Sequence, residues 1–172
     1  LRDIVDVVAP GTILITETNV PNGENLSYFG NSDEAHMVYQ FTLPPLLLHA
    51  LYHGNSQYLR QWAKDIPRPQ KNCTYLNFLA SHDGIGLRPA EGILPEEEVL
   101  SLVDGMHEYG GYVSLRIDQL GKESPYEINI ALFDALKGTH SGNDEYQVQR
   151  FICAHTMMIA LQGIPAIYFH SI

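Results

Sequence analysis

The stretch 75–86, YLNFLASHDGIG, constrains the fold of this chain more than any other. It begins with an apolar run, residues 75–80, whose length suits a strand buried on both faces in a parallel sheet. The run ends abruptly at polar residues that include His82 and Asp83. Ligands of parallel α/β folds bind where strands end, so both side chains are candidate site residues. Alternatively, Asp83 only forms a turn with the glycine that follows it.

A second carboxylate occupies the same kind of position earlier in the chain. Residues 12–16 form a β-branched run that predicts a short buried strand, and Glu17 follows it directly. The alternative is that Glu17 is a solvated loop residue, as a lone glutamate usually is. Residues 20–34 are polar and contain several glycines and asparagines, which predicts a long loop. Long loops in compact folds are often functional.

Strand-like and helix-like segments alternate along the whole chain. Strands are predicted at residues 12–16, 35–41, 75–80 and 166–169. Helices are predicted at residues 1–8, 44–53, 56–66, 95–109 and 144–162. Residues 112–117 and 126–130 alternate apolar and polar side chains, which predicts an antiparallel excursion. The alternation favours an α/β fold with a parallel sheet.

The composition argues against several classes of protein. A net charge of −10 disfavours a nucleic-acid partner, because phosphate backbones require clustered Lys and Arg. No apolar run approaches the about 20 residues of a membrane helix. Cys73 and Cys153 show no metal or redox spacing and are interpreted as buried thiols in a reducing compartment. We therefore expect a cytoplasmic protein, and the chain's start inside a helix and end in a strand predict a piece of a longer one.

Two histidines on one predicted helix raise the question of a metal site. His49 and His53 are four residues apart, which places both on one helix face. No third ligand is evident near them in the sequence, so no metal and no cofactor are expected. The acidic run Glu96, Glu97 and Glu98 begins another helix, where negative charge complements the helix dipole. We interpret that run as a solvated face and not as a site.

Several phrases stand at characteristic intervals along the chain. They are ITETN (15–19), DEAHMVYQFTLPPLLLHAL (33–51), ASHDGIG (80–86), SPYEIN (124–129) and QGIPAIYF (162–169). Together they resemble the α-amylase-type glycoside hydrolase family, and most closely its sucrose phosphorylase-like branch. The resemblance implies that residues 1–172 form the second half of a (β/α)8 barrel catalytic domain, roughly strands five to eight with their helices.

The resemblance also implies roles for three side chains. Glu17 matches the general acid/base of the family, and Asp83 matches the carboxylate that stabilises the transition state. His82 matches the histidine that binds the donor glucosyl unit. The family's nucleophile is an aspartate at the end of the fourth barrel strand, which would precede this chain. The chain alone is therefore expected to be unable to form the glucosyl-enzyme.

The acceptor is less well defined by the sequence. Arg88 lies five residues beyond Asp83, where sucrose phosphorylases lack it, and its guanidinium could bind a carboxylate or phosphate. Alternatively, Arg88 forms a surface salt bridge with Glu91 or Glu97. Tyr126 and Glu127 lie in a segment that resembles a substrate-contacting loop, but sucrose phosphorylases typically carry glutamine in place of Glu127. That carboxylate would resist anions and so conflicts with the hypothesis for Arg88.

The resemblance predicts a retaining phosphorylase that transfers glucose from a small α-glucoside to inorganic phosphate through a covalent glucosyl-enzyme. The α-glucoside would be glucosylglycerate-like or sucrose-like. Glu17 must begin protonated, and we expect burial and nearby carboxylates to raise its pKa. Two alternatives remain open at this stage: a hydrolase or transglucosidase of the same fold, and an inert truncated fragment with unpaired sheet edges.

Overall fold

The chain folds around a parallel sheet, as the alternation of strands and helices predicts. The computed structural model describes residues 1–117 and 121–171. The strands of the described residues are, in chain order, β1 (Ile15–Thr16), β2 (Met37–Tyr39), β3 (Thr74–Asn77), β4 (Ile85–Gly86), β5 (Tyr112–Ile117), β6 (Glu123–Asn129), β7 (Gly138–Thr139), β8 (Gly142–Asn143) and β9 (Ile164–Pro165). Strands β1, β2, β3 and β9 lie side by side in that order, and every pair is parallel. Their carboxyl ends therefore meet on one side of the sheet.

Helices connect these strands at nearly the predicted positions. Those of the described residues are α1 (Arg2–Val8), α2 (Asn22–Ser27), α3 (Leu43–His53), α4 (Gln57–Asp65), α5 (Glu96–Glu108), α6 (Leu132–Ala135) and α7 (Gln147–Ala160). Two prolines begin α3 as expected, and Gly54 ends it with a left-handed φ of 66°. Thr42 stands at the N-cap position of α3, but its hydroxyl donates to Asn22 Oδ1 at 2.9 Å and not to the helix backbone.

The prediction of a loop at residues 20–34 is wrong for the six residues of α2. The helix contains the fully buried Asn25, whose Nδ2 donates to the Tyr39 carbonyl at 2.8 Å. The Thr18 hydroxyl donates to Asn25 Oδ1 at 3.2 Å. Tertiary hydrogen bonds therefore order a segment whose own helix propensity is low.

The last strand is shorter than predicted and begins earlier. Pairing with β3 covers Ile164 and Pro165, and the Ala166 N–H still donates to the Asn77 carbonyl at 2.8 Å. Because β3 ends at Asn77, the chain has no further partner there, and Phe169–Ser171 turn into a 3-10 helix. The prediction of a strand at residues 166–169 is therefore wrong, and Ile172 lies outside the described residues.

The antiparallel excursion is confirmed. Strands β4, β6 and β5 form a second sheet in that order, with antiparallel pairing throughout. The register shifts beside Tyr126, because Ser114 pairs with Glu127 while Leu115 pairs with Pro125. Ile128 of β6 is completely buried in the core that also contains Leu102 of α5. The excursion is therefore fixed to the body of the protein and holds β6 in place.

Apolar side chains remain exposed at both edges of the parallel sheet. Ile15 on β1 is 48% exposed, and Ile164 and Ile167 at β9 are 49% and 55% exposed. Cys153 on α7 is exposed as well, so its prediction as a buried thiol is wrong because the outer face of α7 has no covering element among the described residues. No helix of the described residues is both long and apolar enough to cross a membrane.

Candidate active site

Three of the predicted site residues converge at the carboxyl ends of the parallel strands. Glu17 follows β1, whereas His82 and Asp83 follow β3. One ligand-type atom of each side chain lies within 4.8 Å of the other two. Strand β2 separates β1 from β3, so this convergence depends on the parallel alignment of all three strands. All three side chains are exposed and are free to meet a solute.

The turn after β3 holds His82 and Asp83 in place. Asp83 donates its N–H to the Ser81 hydroxyl at 3.2 Å, and His82 Nε2 lies 3.3 Å from Asp83 Oδ1. Gly84 has a φ of +104°, and a Cβ at this position would lie 2.6 Å from the Ile128 carbonyl oxygen. The turn can therefore pack against β6 only with glycine here.

Strand β6 brings a further carboxylate to the cluster. Glu127 pairs with Gly86 across the β4–β6 ladder, and Asn129 lies two residues further on the same strand. With its amide turned so that both ends are satisfied, Asn129 donates to Glu127 Oε1 and to the Asp83 carbonyl, both at 3.0 Å, and accepts from Ser114 Oγ at 2.9 Å. Burial and the Asp83 carboxylate raise the pKa of Glu127, partly opposed by His82. Glu127 therefore keeps its proton to higher pH than an ordinary glutamate does.

Glu17 itself is not buried, contrary to the sequence-based expectation. The Glu17 charge acts on Tyr39, at the end of β2. Burial, and after it the charge of Glu17, raise the pKa of the Tyr39 hydroxyl. The Tyr39 ring packs edge-on against Phe78 at 5.1 Å between centroids. Tyr39 therefore forms an aromatic wall beside Glu17 that the sequence did not single out.

A cavity of about 340 Å³ adjoins His82 and Asp83. Its other walls come from Asn129, Tyr168 and His170, the last two after β9. Its volume is at the lower end of small-ligand sites. The sequence predicts a strand at Tyr168, whereas the chain turns after β9 and brings Tyr168 and His170 to this cavity.

Among the described residues, Arg88 and Tyr126 make no hydrogen bond or ion pair with Glu17, His82 or Asp83. Arg88 Nε lies 4.0 Å from Glu91 Oε1, while the close partner of Glu91 is Arg116 at 2.7 Å. Arg88 Nε is buried and lacks a hydrogen-bond partner within the described part of the chain, as do both amide atoms of Asn19. The Asn19 side chain lies against Gly86, two residues before Arg88: a Cβ added to Gly86 would be 2.6 Å from Asn19 Oδ1. Tyr126 occupies the irregular position of the β5–β6 ladder.

The fold and the site together indicate the class of protein to which the chain belongs. A parallel α/β sheet carries a cluster of carboxylates and an imidazole at the carboxyl ends of its strands, with a cavity beside it. This is the position of the active site in parallel α/β enzymes, and the carboxylates suit acid–base chemistry.

Comparison with known proteins gives the family. The chain is 52% identical over 173 residues to the glucosylglycerate phosphorylase of Escherichia coli, a match that covers 100% of this chain. It is 33% identical over 143 residues to the sucrose phosphorylase of Bifidobacterium adolescentis, which covers 77% of this chain. No protein-family model matches the chain. The chain belongs to the sucrose phosphorylase-like branch of the α-amylase-type glycoside hydrolase family.

A solved structure shows the same fold. The crystal structure of sucrose 6F-phosphate phosphorylase from Thermoanaerobacter thermosaccharolyticum matches 94% of this chain with a TM-score of 0.75 and 21% sequence identity. The chain described here covers 30% of the length of that crystallised phosphorylase, 31% of the Escherichia coli relative and 26% of the Bifidobacterium adolescentis relative. It therefore spans about a third of the length of the proteins that it matches.

Proposed function

We propose that this chain is part of a retaining α-glucosyl phosphorylase acting on a glucosylglycerate-like substrate. The convergence of Glu17, His82 and Asp83 within 4.8 Å at the carboxyl ends of the strands carries this proposal. The higher identity to a glucosylglycerate phosphorylase than to a sucrose phosphorylase supports glycerate over fructose as the acceptor. The substrates would be the small α-glucoside and inorganic phosphate.

The four parallel strands would then be roughly strands five to eight of a (β/α)8 barrel. Two observations support this. The strands are neighbours in chain order, as barrel strands are. The exposed isoleucines at β1 and β9 would become buried if strands of a completed barrel paired with both edges.

In the proposed reaction, Glu17 gives its proton to the glycosidic oxygen as an aspartate outside this chain attacks the anomeric carbon. The glucosyl–oxygen bond breaks, a glucosyl–carboxylate ester forms, and glycerate leaves. Phosphate then displaces the carboxylate while Glu17 takes back a proton, so the anomeric configuration is retained. Asp83, ionised, would stabilise the positive charge on the sugar ring, and His82 would donate to a sugar hydroxyl.

The acceptor side would be formed by Arg88, Tyr126 and Glu127. The buried Nε of Arg88 makes no hydrogen bond within the described residues and lies 4.0 Å from Glu91 Oε1, a distance that supports a role for the guanidinium in binding a further anion. The sequence raised a conflict, because the Glu127 carboxylate would repel the same anion. Burial and the Asp83 carboxylate raise the pKa of Glu127, which acts against this repulsion. Tyr126, on the same strand, would contribute its ring to the acceptor's surroundings.

The test is a product assay on the protein at its full natural length. With glucosylglycerate and phosphate we expect α-glucose 1-phosphate, identified by its anomeric proton signal, and a lower kcat/KM with sucrose. Free glucose as the only sugar product would support a hydrolase instead, and β-glucose 1-phosphate would rule out retention. This chain expressed alone should give no turnover, since it would lack the nucleophile.

Arg88 has a separate test. An Arg88→Ala variant should raise the KM for phosphate or the glycerate conjugate with a smaller change in kcat, because binding in both states is lost. Arg68→Ala, an exposed arginine outside the site, is the matched control. Equal KM values in the two variants would remove Arg88 from the site.

A further inference from the structure

Helices α3 and α5 carry a second cluster of side chains that are able to bind a metal ion. His49 and His53 lie one turn apart on α3, and Glu98 lies in the first turn of α5. Ligand atoms of these three side chains all lie within 4.8 Å of one another. Glu98, about 45 residues further along the chain than His53, is thus the third ligand that the sequence alone does not reveal. We propose that His49, His53 and Glu98 bind a divalent transition-metal ion of the Zn²⁺ type.

The distances allow the three side chains to share one ion. His49 Nε2 makes a hydrogen bond of 2.9 Å to Glu98 Oε2, and His53 Nε2 lies 3.7 Å from the same oxygen. The longer distance is outside hydrogen-bond range. Zinc ligands lie about 2.0–2.2 Å from the ion, so tetrahedral geometry separates them by about 3.3–3.5 Å. The two observed distances lie on either side of that separation, and small side-chain rotations would equalise them.

Burial supports the same conclusion. His49 is completely buried, and the side chains of His53 and Glu98 are 15% and 29% exposed. Within the described residues, His53 Nε2 has no hydrogen-bond partner although it is buried and faces Glu98. A buried polar nitrogen without a partner is unfavourable, and a metal ion at this point would satisfy it.

The donor set and its position define what the site would do. Two imidazoles and one carboxylate are ligands that Zn²⁺ favours, with a water at the open fourth position. His53 is the last residue of α3, about 15 Å along the helix axis from Leu43, where α3 begins beyond the end of β2. The metal site is therefore separate from the Glu17 cluster and would fasten the end of α3 to the start of α5.

The experiment is zinc titration of the purified protein after dialysis against EDTA. Isothermal titration calorimetry should show one Zn²⁺ per chain, and added Zn²⁺ should raise the melting temperature. Co²⁺ should give the visible absorption of a four-coordinate site. The variants His53→Ala and Glu98→Gln should each weaken Zn²⁺ binding at least about tenfold. His155→Ala, a helical histidine outside the cluster, should bind as the parent does.

Circular dichroism of each variant verifies that it is folded. The proposal is wrong if the folded protein binds no Zn²⁺, or if His53→Ala and Glu98→Gln bind it unchanged. Zinc binding that is lost in His82→Ala but kept in Glu98→Gln would assign the ion to the Glu17, His82 and Asp83 cluster, and this would also overturn the proposal.

Discussion

Glu17 and Asp83 approach within 4.8 Å of one another although they follow strands that are not neighbours in the sheet. Between them lies β2, which ends at Tyr39. Burial, and after it the charge of Glu17, raise the pKa of the Tyr39 hydroxyl. The site is therefore assembled across three parallel strands. Its geometry depends on the turn after β3 and on the contacts that hold the segment after β1, and both can be tested.

The role proposed for Asp83 predicts a large loss of activity on Asp83→Asn. Removing one preorganised charge that stabilises a transition state typically lowers kcat by about 10²–10³. The variant should fold normally, because the Asp83 side chain is exposed and its 3.3 Å contact with His82 joins two exposed groups. Steady-state phosphorolysis kinetics measure the loss, and Asp65→Asn on the exposed face of α4 is the control. An unchanged kcat for Asp83→Asn would contradict the role.

The raised pKa of Glu127 predicts a pH-dependent stability difference. A carboxyl whose folded pKa lies above its unfolded value of about 4.5 destabilises the fold increasingly as pH rises between the two values. Glu127→Gln should therefore raise the melting temperature at neutral pH, and the gain should disappear below about pH 4.5. The amide still accepts the Asn129 hydrogen bond in this variant.

Thermal unfolding by circular dichroism across the pH range measures this difference. Glu123→Gln, exposed on the same strand, controls for the general effect of removing a negative charge. A stability gain in Glu127→Gln that did not depend on pH would show that burial and Asp83 do not act on the Glu127 proton.

The close approach of Gly84 to β6 predicts that Gly84→Ala destabilises the fold. The added Cβ would lie 2.6 Å from the Ile128 carbonyl oxygen, and the alanine would also have to adopt the unfavourable φ of +104°. Backbone strain of this kind costs about 1–3 kcal/mol, and displacement of the turn should lower activity as well. Gly92→Ala provides the control, because its φ is +75° and nothing lies within 4 Å of the added Cβ.

Urea denaturation compares the two variants. The loss of unfolding free energy in Gly84→Ala should exceed that in Gly92→Ala, since only the former adds a steric clash to the strain. Equal losses would mean that the turn after β3 can move away from β6 without cost.

The buried Asn25 predicts that α2 supports the segment after β1. Its amide bonds to Tyr39 and Thr18, so Asn25→Ala leaves buried polar groups without partners. The expected cost is about 1–3 kcal/mol of unfolding free energy. Because Thr18 adjoins Glu17, kcat should fall too. Denaturant unfolding and kinetics measure both effects, and Asn31→Ala, at an exposed position, should change neither.

How much of the site was predictable varies with the residue. Glu17, His82 and Asp83 could be found because each follows an apolar run that stops abruptly, and parallel strands bring such ends together. Asn129 and Tyr168 could not, because their positions depend on where the β4–β6 register and the β3–β9 pairing end. The Glu98–His49 contact was missed for a similar reason, since helical charge patterns do not reveal which helix packs on which.

The sequence by itself determined the α/β class, the parallel sheet and the acidic strand ends, because apolar runs, helix periods and turn residues are local signals that burial enforces. Tertiary structure alone decided that α2 is a helix, that Glu127 rather than Glu17 is the partly buried acid, and that Glu98 contacts the buried His49. Those outcomes depend on the environment of each side chain, which is created by residues distant in sequence.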